Sequence, residues 1–175
     1  MINYLIMTQE HAVKLKEIDR SEHIDLIYEM RDGKLAEVSA NHECPNWNED
    51  LVTELQDRFL FEIRSGGFAI GAFDGTALVG FGVLAHKFRG MNKDRLQVDL
   101  MYVSRSYRRR GIGTRIMEEL SAEARRRGAN YLYISSTETR SAVSFYTSAG
   151  SQITDEIDEE LFNKEPLDIH MIRRL

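Results

Sequence analysis

One stretch constrains this chain more than any other: Tyr102-Val103-Ser104-Arg105-Ser106-Tyr107-Arg108-Arg109-Arg110-Gly111-Ile112-Gly113-Thr114. An apolar strand breaks into a basic turn, and a pair of glycines then opens a long helix. The first turn of a helix leaves its N–H groups without intrahelical partners, and the helix dipole favours negative charge there. Glycines let a ligand approach the backbone and arginines neutralise it, so the stretch reads as a cradle for a phosphate or pyrophosphate.

Two common phosphate loops do not fit. A Walker-type loop needs Lys after its second glycine, where this chain has Thr114. A dinucleotide fold needs a third glycine at position 116, which is Ile116. The spacing R-x-x-G-x-G from Arg108 to Gly113 instead resembles the acetyl-CoA pyrophosphate loop of the GCN5-related N-acetyltransferase (GNAT) family. Downstream, the strand Tyr131 to Ser136 precedes Thr139-Arg140-Ser141-Ala142-Val143-Ser144-Phe145-Tyr146-Thr147-Ser148-Ala149-Gly150. That segment resembles the family's second motif, N-x-x-A-x-x-F-Y-x-x-x-G, with Thr139 in place of the usual Asn. Ala142 and Tyr146, four residues apart, share a helix face. The resemblance is good from about Leu78 to Gly150 and looser elsewhere.

The resemblance implies an α/β fold: a mixed, mostly antiparallel sheet with helices on both faces and a splayed parallel strand pair holding CoA. It implies acetyl-CoA as co-substrate, with Arg108, Arg109, Arg110, Gly111, Ile112, Gly113 and Thr114 at the pyrophosphate. The backbone of Met101, Tyr102 and Val103 would meet the pantetheine arm, and Thr139 and Ser141 would lie on the cofactor's path. Tyr146 corresponds to the tyrosine that points at the CoA sulfur, so it is expected to protonate the leaving thiolate. Asp99 stands where polyamine-type members carry a catalytic glutamate, whereas the histone-type position is Gln97, which cannot act as a base. Asp99 is open to four readings: direct base, base through water, anchor for a cationic substrate, or a carboxylate bonded to backbone or an arginine. On strict alternation Gln97, Asp99 and Met101 face one side of their strand, and Val98, Leu100 and Tyr102 the other.

The expected reaction is acetyl transfer to the amine of a small, cationic-leaning acceptor, with protein N-acetylation or a non-catalytic CoA module as alternatives. Asp168 and His170 share a strand face, and Glu22, Glu43 and Trp47 lie in the part that shapes acceptor pockets in the family; none of these is singled out. At 175 residues the chain is expected to form one domain, residues 1–175. A net charge of −5 argues against nucleic acid as a main partner. Arg125, Arg126 and Arg127 suit the C-terminal dipole of their helix. One cysteine, Cys44, excludes an internal disulfide and suits a reducing cytoplasm; His42 shares its strand face, a weak hint of a nucleophile pair. The five histidines lack metal-ligand spacing. Neither a signal peptide nor a membrane-length apolar run is present, so a cytoplasmic enzyme is expected, and family habit alone suggests a homodimer.

Along the chain, a strand is expected over Ile2 to Met7 and a helix from the Thr8 cap to about Ile18. Hairpins are expected at Leu26–Met30/Leu35–Ser39 around Asp32-Gly33, and at Phe68–Phe73/Ala77–His86 around Asp74-Gly75. Asp50 to Arg64 carries Leu51, Leu55, Phe59 and Ile63 at helical spacing. A strand follows over Asp94 to Val103 and a helix over Gly113 to Arg127, and two closing strands are expected near Gln152–Glu156 and Asp168–Arg173.

Overall fold

In a computed structural model covering all 175 residues, β1 (Ile2–Ile6) is followed by a 3-10 helix over Gln9–Glu17. Next come the ribbon β2 (Glu22–Arg31) and β3 (Lys34–Cys44), then α1 (Glu49–Arg64), β4 (Phe68–Asp74), β5 (Ala77–Arg89) and β6 (Arg95–Val103). The remaining elements are α2 (Ile112–Arg126), β7 (Tyr131–Ser136), α3 (Arg140–Ser148), β8 (Gln152–Ile153), α4 (Glu159–Lys164) and β9 (Ile169–Arg174). Seven strands form one sheet in the order β1-β4-β5-β6-β7-β9-β8, antiparallel throughout except at β6–β7.

The two faces carry separate cores. One gathers Val79, Leu96, Val98, Leu132, Ile134 and Met171 beneath Ile112, Ile116 and Leu120 of α2 and Val143 and Tyr146 of α3. The other packs Leu55 and Phe59 of α1, with Leu15 and Ile18, against Ala69, Phe81, Val83 and Leu100. The α1 helix forms because Asn48 caps it, its side chain accepting from Leu51 N–H at 2.8 Å, and because its apolar positions recur on one face.

Several sequence expectations are corrected. The segment after Thr8 is a 3-10 helix, opened by the Thr8 N–H donating to His11 Nδ1 at 2.9 Å. The first hairpin has longer strands than expected and stands outside the main sheet as its own two-stranded ribbon. Its turn still follows the Asp-Gly rule, with φ of 50° at Asp32 and 75° at Gly33. The ribbon docks on the loop after β7, where Tyr28 N–H donates to the Glu138 carbonyl at 2.7 Å and Ile27 bridges Thr139. The eighth strand is only two residues long, and α4 had no expectation behind it.

The parallel pair is the feature that makes a site. β6 and β7 are in register only over Arg95–Gln97 and Tyr131–Tyr133. Beyond that point β7 continues to Ser136 along β9, β6 continues to Val103 along β5, and no strand joins their facing edges. Asp99 occupies a bulge, since Val98 lies opposite Leu84 and Leu100 opposite Val83. A bulge inserts a residue and shifts the faces of those that follow. Val98 therefore belongs to the α2 core whereas Leu100 and Tyr102 belong to the α1 side, which corrects the simple alternation.

Candidate active site

At the head of α2, Gly111 is the N-cap with φ of 80°, and Arg109 has φ of 61°. An L-residue in that region is strained, and left-handed residues separated by one of the opposite hand turn successive N–H groups to one side, the geometry of an anion nest. The N–H groups of Arg109, Arg110, Gly111, Ile112, Gly113 and Thr114 have no acceptor within the protein, and the first bond of the helix runs from Arg115 N–H to the Gly111 carbonyl. A row of unpaired donors at a helix start fits a pyrophosphate. Gly113 has a second duty: a Cβ there would lie 2.9 Å from the Phe145 ring, so its lack of a side chain lets α2 close on α3.

The side chain of Arg108 does not join this row. Its Nε donates to the Val103 carbonyl at 2.9 Å and its other nitrogens reach the Arg20 carbonyl (3.1 Å) and Glu22 (3.6 Å). Glu22 accepts from Ser141 Oγ at 2.8 Å, and Thr139 Oγ1 caps α3 by accepting from Ala142 N–H at 3.3 Å. Arg108, Glu22 and Ser141 thus tie the loop after β6 to the start of α3. With the Val103 carbonyl taken, Met101 and Tyr102 keep the end of β6 that borders the opening.

Tyr146 projects from α3 with only 9% of its surface exposed, and its hydroxyl makes no hydrogen bond within the protein. Burial raises its pKa, and the neighbouring Tyr102 and Asp168 push the same way. The phenol therefore belongs to the α2 core by its ring and reaches the groups of the opposite face by its oxygen. Tyr102 lies half-buried there, edge-on to Trp47 at 5.1 Å and stacked on Phe81 at 5.9 Å. Trp47 is an anchor: its Nε1 donates to the Ile18 carbonyl at 3.0 Å and Arg20 lies 4.3 Å over its ring.

Asp99 is engaged by an arginine that sequence reasoning missed. One nitrogen of Arg58 donates both to Asp99 Oδ1 at 3.0 Å and to the Asp99 carbonyl at 3.1 Å, and the carboxylate side chain is 10% exposed. Of the four readings of Asp99, this geometry is the carboxylate bonded to an arginine. A signal for Arg58 was available, since it falls three residues after Leu55 on the apolar stripe of α1.

Across the opening, Asp168 accepts from Ser135 Oγ at 2.8 Å and pairs with no cation. Burial pushes its carboxyl up to about 6, Glu165 and Glu138 add to the rise, and the Ser135 bond and Arg58 oppose it. His170, on the same strand face, is occupied elsewhere: its Nδ1 meets the Tyr133 hydroxyl at 2.5 Å, and burial lowers its pKa. Cys44 and His42 form no pair; the thiol donates to the Pro45 carbonyl at 3.7 Å. Glu43 lies at the exposed ribbon end with His23 and Arg105. Arg126 and Arg127 are held by Glu123, as the helix end requires, while no group of three or more His, Cys, Asp or Glu side chains gathers as a metal site. Two surface clefts of about 430 and 560 Å³ lie beside β1 and at the α1 N-terminus, away from the β6–β7 opening. No helix is long and apolar enough to cross a membrane.

A sheet opened between a parallel pair and a row of unpaired N–H groups at the head of the next helix together define a binder of a pyrophosphate-bearing ligand. The chain belongs to the acetyltransferase (GNAT) family, whose model matches residues 29–150; it is an acetyl-CoA-dependent acetyltransferase. Similar solved structures include a nourseothricin acetyltransferase, at 21% identity and TM-score 0.74 over 99% of this chain and 98% of that one. A Bacillus anthracis str. Ames protein assigned as a streptothricin acetyltransferase, in complex with acetyl coenzyme A, shares 16% identity at TM-score 0.75 over 100% and 99%. The PaiA N-acetyltransferase of Thermoplasma acidophilum, in complex with coenzyme A, shares 17% at TM-score 0.65 over 100% and 99%. At these identities the likeness speaks to the fold. Among curated proteins no sequence matches significantly.

Proposed function

We propose that this enzyme moves the acetyl group of acetyl-CoA directly to the amine of a small, cationic acceptor. The observation that carries the reading is the Tyr146 hydroxyl, nine-tenths buried and without a partner, beside the opening between β6 and β7. Acetyl-CoA supplies the acyl group as a thioester; this chain's residues bind, orient and move protons. The amides from Arg109 to Thr114 hold the pyrophosphate, and Met101 to Val103 border the pantetheine arm. Thr139 and Ser141 shape the start of α3 beside it. Tyr146 meets the charge developing on sulfur with its O–H and passes it a proton. Asp99 serves as the clamp that holds Arg58 at the mouth.

The net charge of −5 agrees with a cationic acceptor, and the resemblance in fold to acetyltransferases of nourseothricin and streptothricin type agrees with a small molecule. The test is a panel of amines (spermidine, streptothricin, lysine methyl ester, glutamate and a lysine-containing peptide) with acetyl-CoA, scored by free-thiol release. Turnover of at least one small cationic amine, lost in Tyr146→Phe, is expected. Turnover of the peptide alone would reassign the acceptor to proteins.

A further inference from the structure

We infer that Asp168, at the start of β9, is the catalytic carboxylate that seats the acceptor's ammonium and removes its proton. The inference rests on the acetyltransfer reading above and names a residue on which that reading is silent.

Three features single Asp168 out. It stands at the free end of β7, where Ser135 holds one carboxylate oxygen (Oδ2) at 2.8 Å while Oδ1 has no hydrogen-bond partner within the protein. The unpartnered Tyr146 hydroxyl is near enough to feel the charge of this carboxylate, which raises the phenol's pKa. Finally, Arg58, the arginine whose charge acts on it, is bound to Asp99.

The other groups facing Asp168 set its charge. Glu138 follows β7 and Glu165 follows α4, both raising its proton affinity; Arg58 of α1 lowers it; Tyr146 is a phenol that burial keeps neutral. A half-buried carboxyl poised at about 6 is ionised at neutral pH and yet accepts a proton more readily than an ordinary aspartate. An ammonium with a pKa near ~10.4 is almost wholly protonated at neutral pH, so the attacking amine must be made on the enzyme.

The step balances as follows. The ammonium gives one proton to Asp168 and becomes a neutral amine. Its nitrogen bonds to the thioester carbonyl carbon, and the carbon–sulfur bond breaks with its electron pair on sulfur. Tyr146 protonates the sulfur and is itself re-protonated by the surplus proton on nitrogen. Asp168 releases its proton to solvent, so ammonium and thioester become amide, thiol and one proton.

The experiment measures kcat/KM against pH for the best amine of the panel in wild type, Asp168→Asn, Asp168→Glu and Asp99→Asn, with CoA affinity by calorimetry. Asp168→Asn should lose roughly 10²–10⁴-fold in kcat/KM and flatten the acid limb near pH 6, while CoA affinity stays within twofold. Asp168→Glu should recover part of the loss, and Asp99→Asn should keep the acid limb. Asp168→Asn within threefold of wild type, or with its acid limb intact, overturns the inference and leaves the acetyltransfer reading standing. A wild type that binds acetyl-CoA but acetylates no amine overturns both.

Discussion

Replacing Gly113 with Ala should loosen the junction between the anion nest and the helix that carries Tyr146. A Cβ at position 113 would approach Phe145 Cε2 to 2.9 Å and Cζ to 3.1 Å. Carbon atoms pack at about 3.5–4.0 Å, so the ring must retreat by roughly 0.5–1 Å. Overpacking of this kind costs about 1–3 kcal/mol. The ring tip of Phe145 is half-buried and can turn, which places the expected cost in the lower half of that range. For a chain of this length about 2–4 °C of Tm goes with each kcal/mol, so Tm should fall by roughly 2–8 °C. Tyr146 is the next residue along α3, so kcat should fall with it, while the Cβ points away from the row of amides and spares CoA affinity. Thermal melts and steady-state kinetics on Gly113→Ala, Phe145→Leu and the double variant form a cycle that isolates the contact. A Gly113→Ala melt within 1 °C of wild type, or strictly additive costs in the double variant, would refute the reasoning.

Three further outcomes follow from the same geometry. Tyr146→Phe should lower kcat by roughly 10²-fold or more, yet leave unfolding free energy within about 0.5 kcal/mol, because the hydroxyl holds no partner in the fold; urea melts beside kinetics separate the two effects. Gly111→Trp should abolish CoA binding, seen as loss of the CoA-induced rise in Tm. The chain should still fold, since no atom lies within 4 Å of the site of a Cβ and the φ of 80° costs an L-residue only about 1–2 kcal/mol. Asp168 links stability to pH: its carboxyl is raised from 3.8 to about 6 in the fold, so protonation stabilises the native state below about 4, and that stabilisation is lost as pH rises through 6. The full shift corresponds to about 3 kcal/mol, which screening at a partly exposed group reduces to roughly 1–2. Asp168→Asn should therefore out-stabilise wild type by that amount at pH 7.5 and converge with it near pH 4. Equal stabilities at pH 7.5 would count against a desolvated carboxylate.

Legibility in the sequence varied with the range of the interaction. The Asp-Gly turns, the amphipathic helix from Asp50 to Arg64 and the run from strand to glycine pair to helix are local, and each appears close to its expected place. The nest over Arg109–Thr114 was readable because backbone geometry at a helix start depends on a few neighbouring residues. The alternation on β6 failed at Asp99, because a bulge arises from pairing with β5 and leaves no mark in β6 alone. The ribbon β2–β3 reads as a hairpin in either setting, and only its docking on Glu138 and Thr139 separates it from the main sheet.

The sequence by itself determined the class of chemistry. The spacing from Arg108 to Gly113, followed by Phe145-Tyr146 one helix and one strand later, specified an anion cradle at a helix start and a tyrosine on the helix that follows. Those features are encoded in residue order, since turn, cap and helix face are set by neighbours along the chain. Tertiary structure alone decided which carboxylate is free. Asp99 and Asp168 are equivalent in composition, but Arg58 arrives from a helix far back in the chain to neutralise the first and leaves the second with only Ser135. Charge and solvation at a site are sums over space, and no spacing along one strand records who stands across the gap.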